Sequence, residues 1–201
     1  MSVLREIVRA IRLTLVLWVL TAVIYPSLII LVGQLPFLQA RANGSLVVNL
    51  AGQTMGSALI GQAFSSDRYF ISRLSTVEYS IGNAAPTGVS GASNLAPSHP
   101  QLLKRIEAQV AQLQDGGIQP TNDLVYASGS GLDPHITIEA VQAQIERVAK
   151  ARDLSTDEIV PLINRFTEGR FLGVFGEPGV NVLKLNYALD VLQTAKQQEI
   201  Q

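Results

Sequence analysis

The feature that most constrains this chain is an uncharged, apolar stretch at positions 13–33, LTLVLWVLTAVIYPSLIILVG. A helix of this length spans about 31 Å, at about 1.5 Å per residue, which matches the hydrocarbon core of a bilayer. In lipid such a helix needs no partner, because it satisfies its own backbone hydrogen bonds. We therefore predict one transmembrane helix at 13–33, in which Pro26 either kinks the helix or is accommodated by a neighbouring helix.

A cleaved signal peptide is the alternative interpretation of this stretch, because Ala40-Arg41-Ala42 has the small-x-small form of a cleavage site. The apolar run, however, is well beyond the roughly 7–15 apolar residues of a signal peptide. The sequence therefore favours an uncleaved anchor that tethers the rest of the chain to a membrane.

The distribution of cations predicts which side of the membrane the remaining chain occupies. Arg5, Arg9 and Arg12 precede the apolar stretch, whereas the next cation after it is Arg41. Positive residues close to a span favour the cytoplasmic face. We predict a cytoplasmic N-terminus at 1–12, a transmembrane helix at 13–33, a linker at 34–44 and an extracytoplasmic domain at 45–201.

Composition excludes several kinds of site. The net charge of −1 leaves no electrostatic footprint for nucleic acid. The chain has no cysteine, which excludes disulfides, thiolate metal ligands and a cysteine nucleophile. Since His99 and His135 are its only histidines, a three-histidine zinc site cannot form within one chain. We predict no metal and no cofactor of its own.

The remaining chain predicts one domain of the α+β class, because strand-like and helix-like patterns are interspersed. Strands are predicted at 46–50, 55–60, 124–127 and 180–185, and residues 69–71 are expected to be extended. Helices are predicted to begin at Pro100, after Thr137, after Ser155 and at Tyr187. Residues 75–98 are predicted to form a long irregular segment, and such segments are often functional.

Two polar, glycine-bearing stretches, at 90–94 and 128–135, are the strongest candidates for a functional site. Their structural interpretation is that glycines permit positive φ angles while serines bond nearby backbone groups. Asp133 before Pro134 resembles a cap in the same sense. A phosphate-cradling loop is disfavoured, because no G-x-x-x-x-G-K-[ST] motif is present and no lysine lies near 128–135.

A serine hydrolase is the catalytic interpretation of the second stretch. Ser128 or Ser130 would be the nucleophile, His135 or His99 the base, and Asp133 the group that orients the base. The pattern lacks a G-x-S-x-G elbow, and a carboxylate and an imidazole two residues apart do not form a triad. The structural interpretation is therefore favoured, and the hydrolase is kept as the alternative.

Two further features leave alternatives open. Arg68 and Arg73 flank Tyr69-Phe70, and this group is either a docking surface or part of the core. Glu177 lies in a Gly-Glu-Pro-Gly sequence that predicts a turn, where a carboxylate is either solvated or functional.

Motifs along essentially the whole chain resemble the C subunit of the bacterial high-affinity potassium-transporting P-type ATPase, the Kdp complex. The longest of them is ASGSGLDPHI at 127–136. The others are GSALIGQAF at 56–64, SNLAPS at 93–98, GEP at 176–178, VNVL at 180–183 and LNYALD at 185–190. The family's usual R-P-S-A and S-G-G-S-N read RLST at 73–76 and SGASN at 90–94 in this chain.

The resemblance implies a non-catalytic accessory subunit in a bacterial inner membrane. Its implied partners are the potassium-translocating A subunit, the ATP-hydrolysing B subunit and the small F subunit, together with membrane lipid. Its implied task is assembly and activity of the complex, including a higher ATP affinity of the B subunit, with ATP bound through that partner. The residues that we expect to contact a partner or ligand are Ser93, Asn94, Ser128, Ser130, Asp133, His135 and Glu177.

Overall fold

A computed structural model describes residues 2–77 and 89–199 of the chain. The chain divides into two compact units, Met1–Ser45 and Leu46–Gln201. Helices and short strands alternate in the second unit, which confirms the predicted mixed α and β content. The central part of the predicted irregular segment, 78–88, lies outside the described residues.

The first unit contains a long apolar helix. Helix α1 (Ser2–Val19) continues through a π-helical turn (Leu20–Ile24) into helix α2 (Tyr25–Gly33). Within the described residues, this is the one helix long and apolar enough to cross a membrane. The π-helical turn ends just before Pro26, so the backbone accommodates the proline by a local change of hydrogen-bond spacing.

Most of the segment at 34–44, which is predicted as a linker, is helical. Helix α3 (Pro36–Ala42) begins with a proline in its first turn, where the ring's fixed φ favours a helix and its missing N–H is no loss. A proline in a linker is typical of a helix breaker, whereas the structure uses Pro36 as a helix start. The helix ends before Gly44, which has a φ of 84°.

The second unit begins with an antiparallel hairpin of β1 (Leu46–Val48) and β2 (Thr54–Ser57). The turn is held by Asn49, whose Oδ1 accepts hydrogen bonds from the amides of Ala51 and Gln53. The two strands predicted at 46–50 and 55–60 are confirmed, although both are shorter than the apolar runs suggested.

The rest of the unit packs helices around a three-stranded antiparallel sheet with the order β3-β5-β4. Its strands are β3 (His135–Ile136), β4 (Thr167–Glu168) and β5 (Gly179–Asn181). Its helices are α4 (Pro100–Asp115), α5 (Asn122–Val125), α6 (Ile138–Arg152), α7 (Thr156–Arg165) and α8 (Val182–Glu199). The fully buried core includes Phe70, Ile136, Ile159, Val180 and Leu189.

Two predicted strands are wrong, at 124–127 and in most of 180–185. The first is helix α5, whose amides at Leu124 and Val125 bond the carbonyl of Thr121. In the second, the strand ends at Asn181, where the side chain accepts a hydrogen bond from the amide of Lys184. This is the arrangement of an N-cap, so α8 begins at Val182, and the predicted helix start at Tyr187 is wrong. Short apolar runs do not by themselves distinguish a strand from a buried helix.

Side chains from α6 and α8 hold an extended segment, residues 70–74, against the core. Asn186 receives a hydrogen bond from the Phe70 amide and donates one to the Phe70 carbonyl, both 2.9 Å long. Gln144 does the same with Ile71, over 2.8 Å and 3.3 Å. Each side-chain amide thus pairs with the backbone as a neighbouring strand would, which satisfies polar groups that burial would leave without water.

Helix α7 is joined to α8 at its N-terminus, where the predicted capping box is present. The Ser155 amide donates to Glu158 Oε2 over 2.9 Å, and Lys196 forms an ion pair with the same carboxylate. These hydrogen bonds, with that from Lys196 first, lower the pKa of Glu158 from 4.5 to about 2.

This lowered pKa predicts a loss of stability in acid. A carboxylate with a lower pKa in the folded state stabilises the protein above pH 4.5, its unfolded value, and loses that effect as the pH falls towards 2. We therefore expect the Tm difference between the wild type and Glu158→Gln to shrink between about pH 5 and pH 2. Thermal unfolding of the chain in detergent, followed by circular dichroism at each pH, measures this Tm difference. The control is Glu107→Gln at an exposed position of α4, and an equal pH dependence in both variants would contradict the assignment.

Candidate functional site

The polar stretch at 128–135 folds into a compact loop that is stabilised by its own serines. Ser128 is only 4% exposed, and its Oγ accepts hydrogen bonds from the amides of Ser130 and Gly131 over 3.3 Å and 3.1 Å. The Ser130 hydroxyl lies 3.2 Å from that of Ser128 and accepts a bond from the Leu132 amide. The hydroxyls thus pair with the loop backbone, as the structural interpretation expected.

The second polar stretch meets this loop. The amide of Gly91 and the hydroxyl of Ser90 both donate to the Ser130 carbonyl, over 2.9 Å and 2.8 Å. The extended segment also contributes, since the Ser128 amide donates to the Leu74 carbonyl over 2.8 Å. Three stretches that are far apart in sequence therefore form one polar cluster, which we call the serine cluster: residues 74–77, 90–91 and 128–132.

An arginine anchors the loop from the extended segment. Arg73 donates to Asp133 Oδ2 over 3.0 Å, and its Nε lies 3.7 Å from Asp123 Oδ1. Asp133 Oδ1 accepts a bond from the His135 amide over 3.0 Å, which forms an Asx turn that leads into β3 and not the predicted helix cap. Since Arg73 and both carboxylates are largely covered, these charges pair with each other and stabilise the turn.

His135 lies at the start of β3 and faces a carboxylate rather than a serine. Its Nε2 is 3.2 Å from Glu168 Oε2, but the two atoms do not have hydrogen-bond geometry. Lys184 donates to Glu168 Oε1 over 2.8 Å. This bond, more than the nearby imidazole, lowers the pKa of Glu168. Glu168 therefore pairs mainly with the lysine.

The remaining candidate residues lie apart from these hydroxyls. His99 caps α4, where its Nδ1 accepts a hydrogen bond from the Gln101 amide over 3.2 Å. Among the described residues, no hydrogen bond joins Ser128 or Ser130 to an imidazole. The nucleophile–base pair that a serine hydrolase requires is therefore not assembled in this structure.

The last three candidates are surface or turn positions. Asn94 is exposed and has a φ of 51°, a conformation that asparagine tolerates better than most residues, and its neighbour Ser93 is half-buried. Glu177 is exposed and accepts two hydrogen bonds of 3.0 Å from Arg170. Gly176 has a φ of 84° at a bend, but the hydrogen-bonded turn of this loop lies before it, at 171–175, so the turn predicted around Glu177 is wrong in its position.

A cavity of about 550 Å³ adjoins the serine cluster. Its lining includes Arg73, Ser75, Gln112 and Arg147. Arg147 bonds the backbone and side chain of Asp67, and burial lowers its pKa. The two arginines that line the cavity are therefore already paired with carboxylates. In the described residues, no group of three or more histidine, aspartate or glutamate side chains is placed to hold a metal ion.

The docking surface considered around Arg68 and Tyr69 is only partly available, because Tyr69 is bonded within the domain, whereas Arg68 is exposed and donates to Gln193. The Tyr69 hydroxyl donates to Asp190 over 3.1 Å, and its ring lies 4.9 Å below the guanidinium of Arg152. Phe70 is fully buried. Sequence reasoning missed Arg152, Gln144 and Asn186, although a polar residue within the apolar face of a helix is a signal that could have found the last two.

Gly131 occupies a place in the serine cluster that leaves no room for a side chain. It has a φ of 71°, and an added Cβ would lie 2.6 Å from Val77 Cγ2 and 2.7 Å from the Gly91 carbonyl oxygen. We expect Gly131→Ala to lower the free energy of unfolding by at least about 1–2 kcal/mol, the cost of left-handed backbone alone. The matched control is Gly129→Ala, which has open space around its Cβ. Equal denaturation midpoints for the two variants would contradict this packing.

Together, the fold and the cluster define a protein with one N-terminal helix able to cross a membrane and an α+β domain whose polar loop is folded on itself. Comparison with protein families matches residues 7–191 to the family described as "KdpC: K+-transporting ATPase, c chain". The chain belongs to the KdpC family.

Individual relatives agree with this assignment. The chain is 58% identical over 199 residues to "Potassium-transporting ATPase KdpC subunit 2" of Nostoc sp., with 98% of this chain and 100% of that protein covered. It is 58% identical over 188 residues to the KdpC subunit of Synechocystis sp., covering 93% and 98%. It is 47% identical over 184 residues to that of Burkholderia ambifaria, covering 90% and 93%.

Proposed function

We propose that this chain is the accessory C subunit of an ATP-driven potassium uptake complex and that it is not itself an enzyme. The observation that carries the proposal is the family match over residues 7–191, which includes both the apolar helix and the domain. The engagement of the Ser128 and Ser130 hydroxyls with the loop backbone supports the non-catalytic role.

The proposed partners are the potassium-translocating A subunit, the ATP-hydrolysing B subunit and the small F subunit of the same complex. In this proposal the N-terminus is cytoplasmic and the domain is extracytoplasmic. The support is the positive charge of Arg5, Arg9 and Arg12 before the apolar stretch. The domain then caps the outer entrance of the potassium pathway.

A raised ATP affinity of the B subunit follows from this topology only by indirect coupling. A domain outside the membrane cannot touch a nucleotide bound in the cytoplasm, so the effect passes through the membrane subunits as a coupling free energy between two sites. ATP is therefore bound by the partner and not by this chain. Reciprocity then requires that ATP also strengthen the association of this subunit with the complex.

Co-purification tests the proposal. The tagged chain is expressed with the other subunits of its own organism, extracted in mild detergent and recovered on its tag. We expect it to bring down a P-type ATPase whose potassium-stimulated hydrolysis falls when this subunit is omitted. Recovery of the chain alone, together with turnover of ester substrates, would favour the serine hydrolase instead.

Accessibility to protease tests the topology. Protease added to intact spheroplasts is expected to digest the domain, because the proposal puts it outside the membrane. The cytoplasmic B subunit serves as the control that must stay intact until lysis. Protection of the domain in intact spheroplasts, with digestion only after lysis, would reverse the proposed orientation.

The non-catalytic role makes a prediction about the two loop serines. We expect Ser128→Ala and Ser130→Ala to leave potassium-stimulated ATPase activity within a few-fold of the wild type, because each loses hydrogen bonds worth about 0.5–1.5 kcal/mol. The control is Ser65→Ala at an exposed position. A loss of several orders of magnitude in a normally assembled complex would be the signature of an essential catalytic group.

A further inference from the structure

The loop between β4 and β5 carries an exposed apolar tip at residues 171–175. Four of its five residues are large and apolar, and all four are more than 60% exposed: Phe171 72%, Leu172 75%, Val174 70% and Phe175 63%. Contiguous apolar side chains on a surface mark an interaction site, because water alone does not favour their exposure. Neither the serine cluster nor the core uses this tip.

The backbone of the tip is hydrogen-bonded within the loop. Phe171 and Phe175 exchange two hydrogen bonds, with the Phe171 amide donating over 2.8 Å and the Phe175 amide over 2.9 Å. The amides of Gly173 and Val174 donate to the carbonyls of Arg170 and Phe171. Leu172 and Gly173 both have positive φ angles, which close the turn. Four of the five amides at 171–175 are thus paired, which lowers the cost of moving this backbone into an apolar medium.

The charges of the loop are confined to its base. Arg170 and Glu177 flank the tip and pair through two hydrogen bonds of 3.0 Å. Residues 171–176 contain no charged or hydrogen-bonding side chain. The loop is thus amphipathic, with an apolar end and a charged base. Segments that lie at the headgroup level of a bilayer have the same division.

We propose that the tip at 171–175 inserts into the interfacial region of the lipid bilayer to which the chain is anchored. The twelve residues 34–45 separate the apolar helix from the domain; they contain helix α3 and would reach only about 40 Å even if they were fully extended. This tether keeps the loop close to a bilayer surface at a high effective concentration. A small apolar tip that binds weakly as an isolated group can therefore remain inserted.

The chemistry of the tip favours lipid over a protein partner as its occupant. A protein interface typically combines an apolar centre with hydrogen bonds and polar residues around it. The tip has no side chain that can donate or accept such a bond, whereas acyl chains require none. The proposal concerns the anchored chain itself and is independent of its place in a transport complex.

Fluorescence of a single tryptophan tests the proposal in the full-length chain. Trp18 is the only tryptophan, so Trp18→Phe gives a silent background into which Phe171→Trp introduces a probe at the tip. The matched control is Tyr126→Trp, at another exposed aromatic position of the domain. Both variants are reconstituted in nanodiscs of phosphatidylcholine and phosphatidylglycerol, with and without lipids that carry a shallow doxyl quencher.

If the tip is inserted, the emission of the Phe171→Trp probe is blue-shifted and loses most of its intensity with the doxyl lipid. The emission of the Tyr126→Trp control changes little. Equal, water-like emission from both probes would overturn the proposal, as would equal quenching of both. Shielding of the probe at the tip that develops only when the other subunits are added, without lipid quenching, would assign the tip to a protein partner and would also overturn it.

Discussion

Replacing Asn186 with alanine is expected to lower the free energy of unfolding of the domain by about 2–6 kcal/mol. Asn186 is 1% exposed and pairs with both backbone polar groups of the fully buried Phe70. Alanine leaves that amide and that carbonyl without partners in a place that water does not reach. Each unsatisfied buried group costs about 1–3 kcal/mol, and the range above is the sum for two.

Chemical denaturation of the detergent-solubilised chain, followed by circular dichroism, measures this effect. The matched control is Asn164→Ala, the same substitution at an exposed position of helix α7. The control is expected to change stability by less than about 0.5 kcal/mol, as surface substitutions usually do. If Asn186→Ala is no more destabilising than Asn164→Ala, the side chain does not hold the extended segment as described.

Helices and their starts were the part of the fold that the sequence predicted best. Pro100 stands in the first turn of α4, and the Thr137 hydroxyl accepts a hydrogen bond from the Ala140 amide at the start of α6. The capping box of Ser155 and Glu158 is formed at α7. These signals are local, because the capping side chain and the amide that it bonds lie within one turn.

Strands were predicted less well, because their lengths depend on partners elsewhere in the chain. The short stretch VNVLKL at 180–185 fits a strand or the first turn of a buried helix equally well. Asn181 decides where the strand ends and the helix begins, because its backbone pairs with β3 and its side chain caps α8. Asn181 is buried and also donates to the Ala58 carbonyl, a contact that spans 123 positions and has no local signal.

Two of the three stretches of the serine cluster, at 90–91 and 128–132, were singled out in the sequence, but their assembly was not predicted. Glycine and serine at 128–131 indicated a turn, and the structure has one. The meeting of this turn with Ser90 and Gly91 joins residues about 40 positions apart, and Arg73 joins Asp133 across 60. No periodicity or motif specifies such contacts, since they follow from the path of the extended segment across the core.

Removing the carboxylate of Asp190 is the second substitution with a large expected effect, because it isolates a buried cation. The Arg152 side chain is fully buried and donates to Asp190 Oδ1 over 2.8 Å. Its other hydrogen-bond partners are the Arg68 carbonyl and Gln193, which are neutral, as is the Tyr69 ring that it covers. Breaking a buried ion pair by removing one partner costs about 3–5 kcal/mol. Since Asp190 is one-third exposed, we expect Asp190→Ala to lie near the lower end of this range.

Two comparisons separate this effect from a general loss of charge. Glu177→Ala removes an exposed ion pair with Arg170 and is expected to change the free energy of unfolding by about 1 kcal/mol or less. Tyr69 supplies a local readout, because burial first and the Asp190 carboxylate second raise its pKa. Asp190→Ala is therefore expected to lower the pKa of Tyr69, measured by tyrosinate absorbance against Tyr69→Phe. If Asp190→Ala is no more destabilising than Glu177→Ala and leaves the pKa of Tyr69 unchanged, the ion pair of Arg152 with Asp190 does not stabilise the fold.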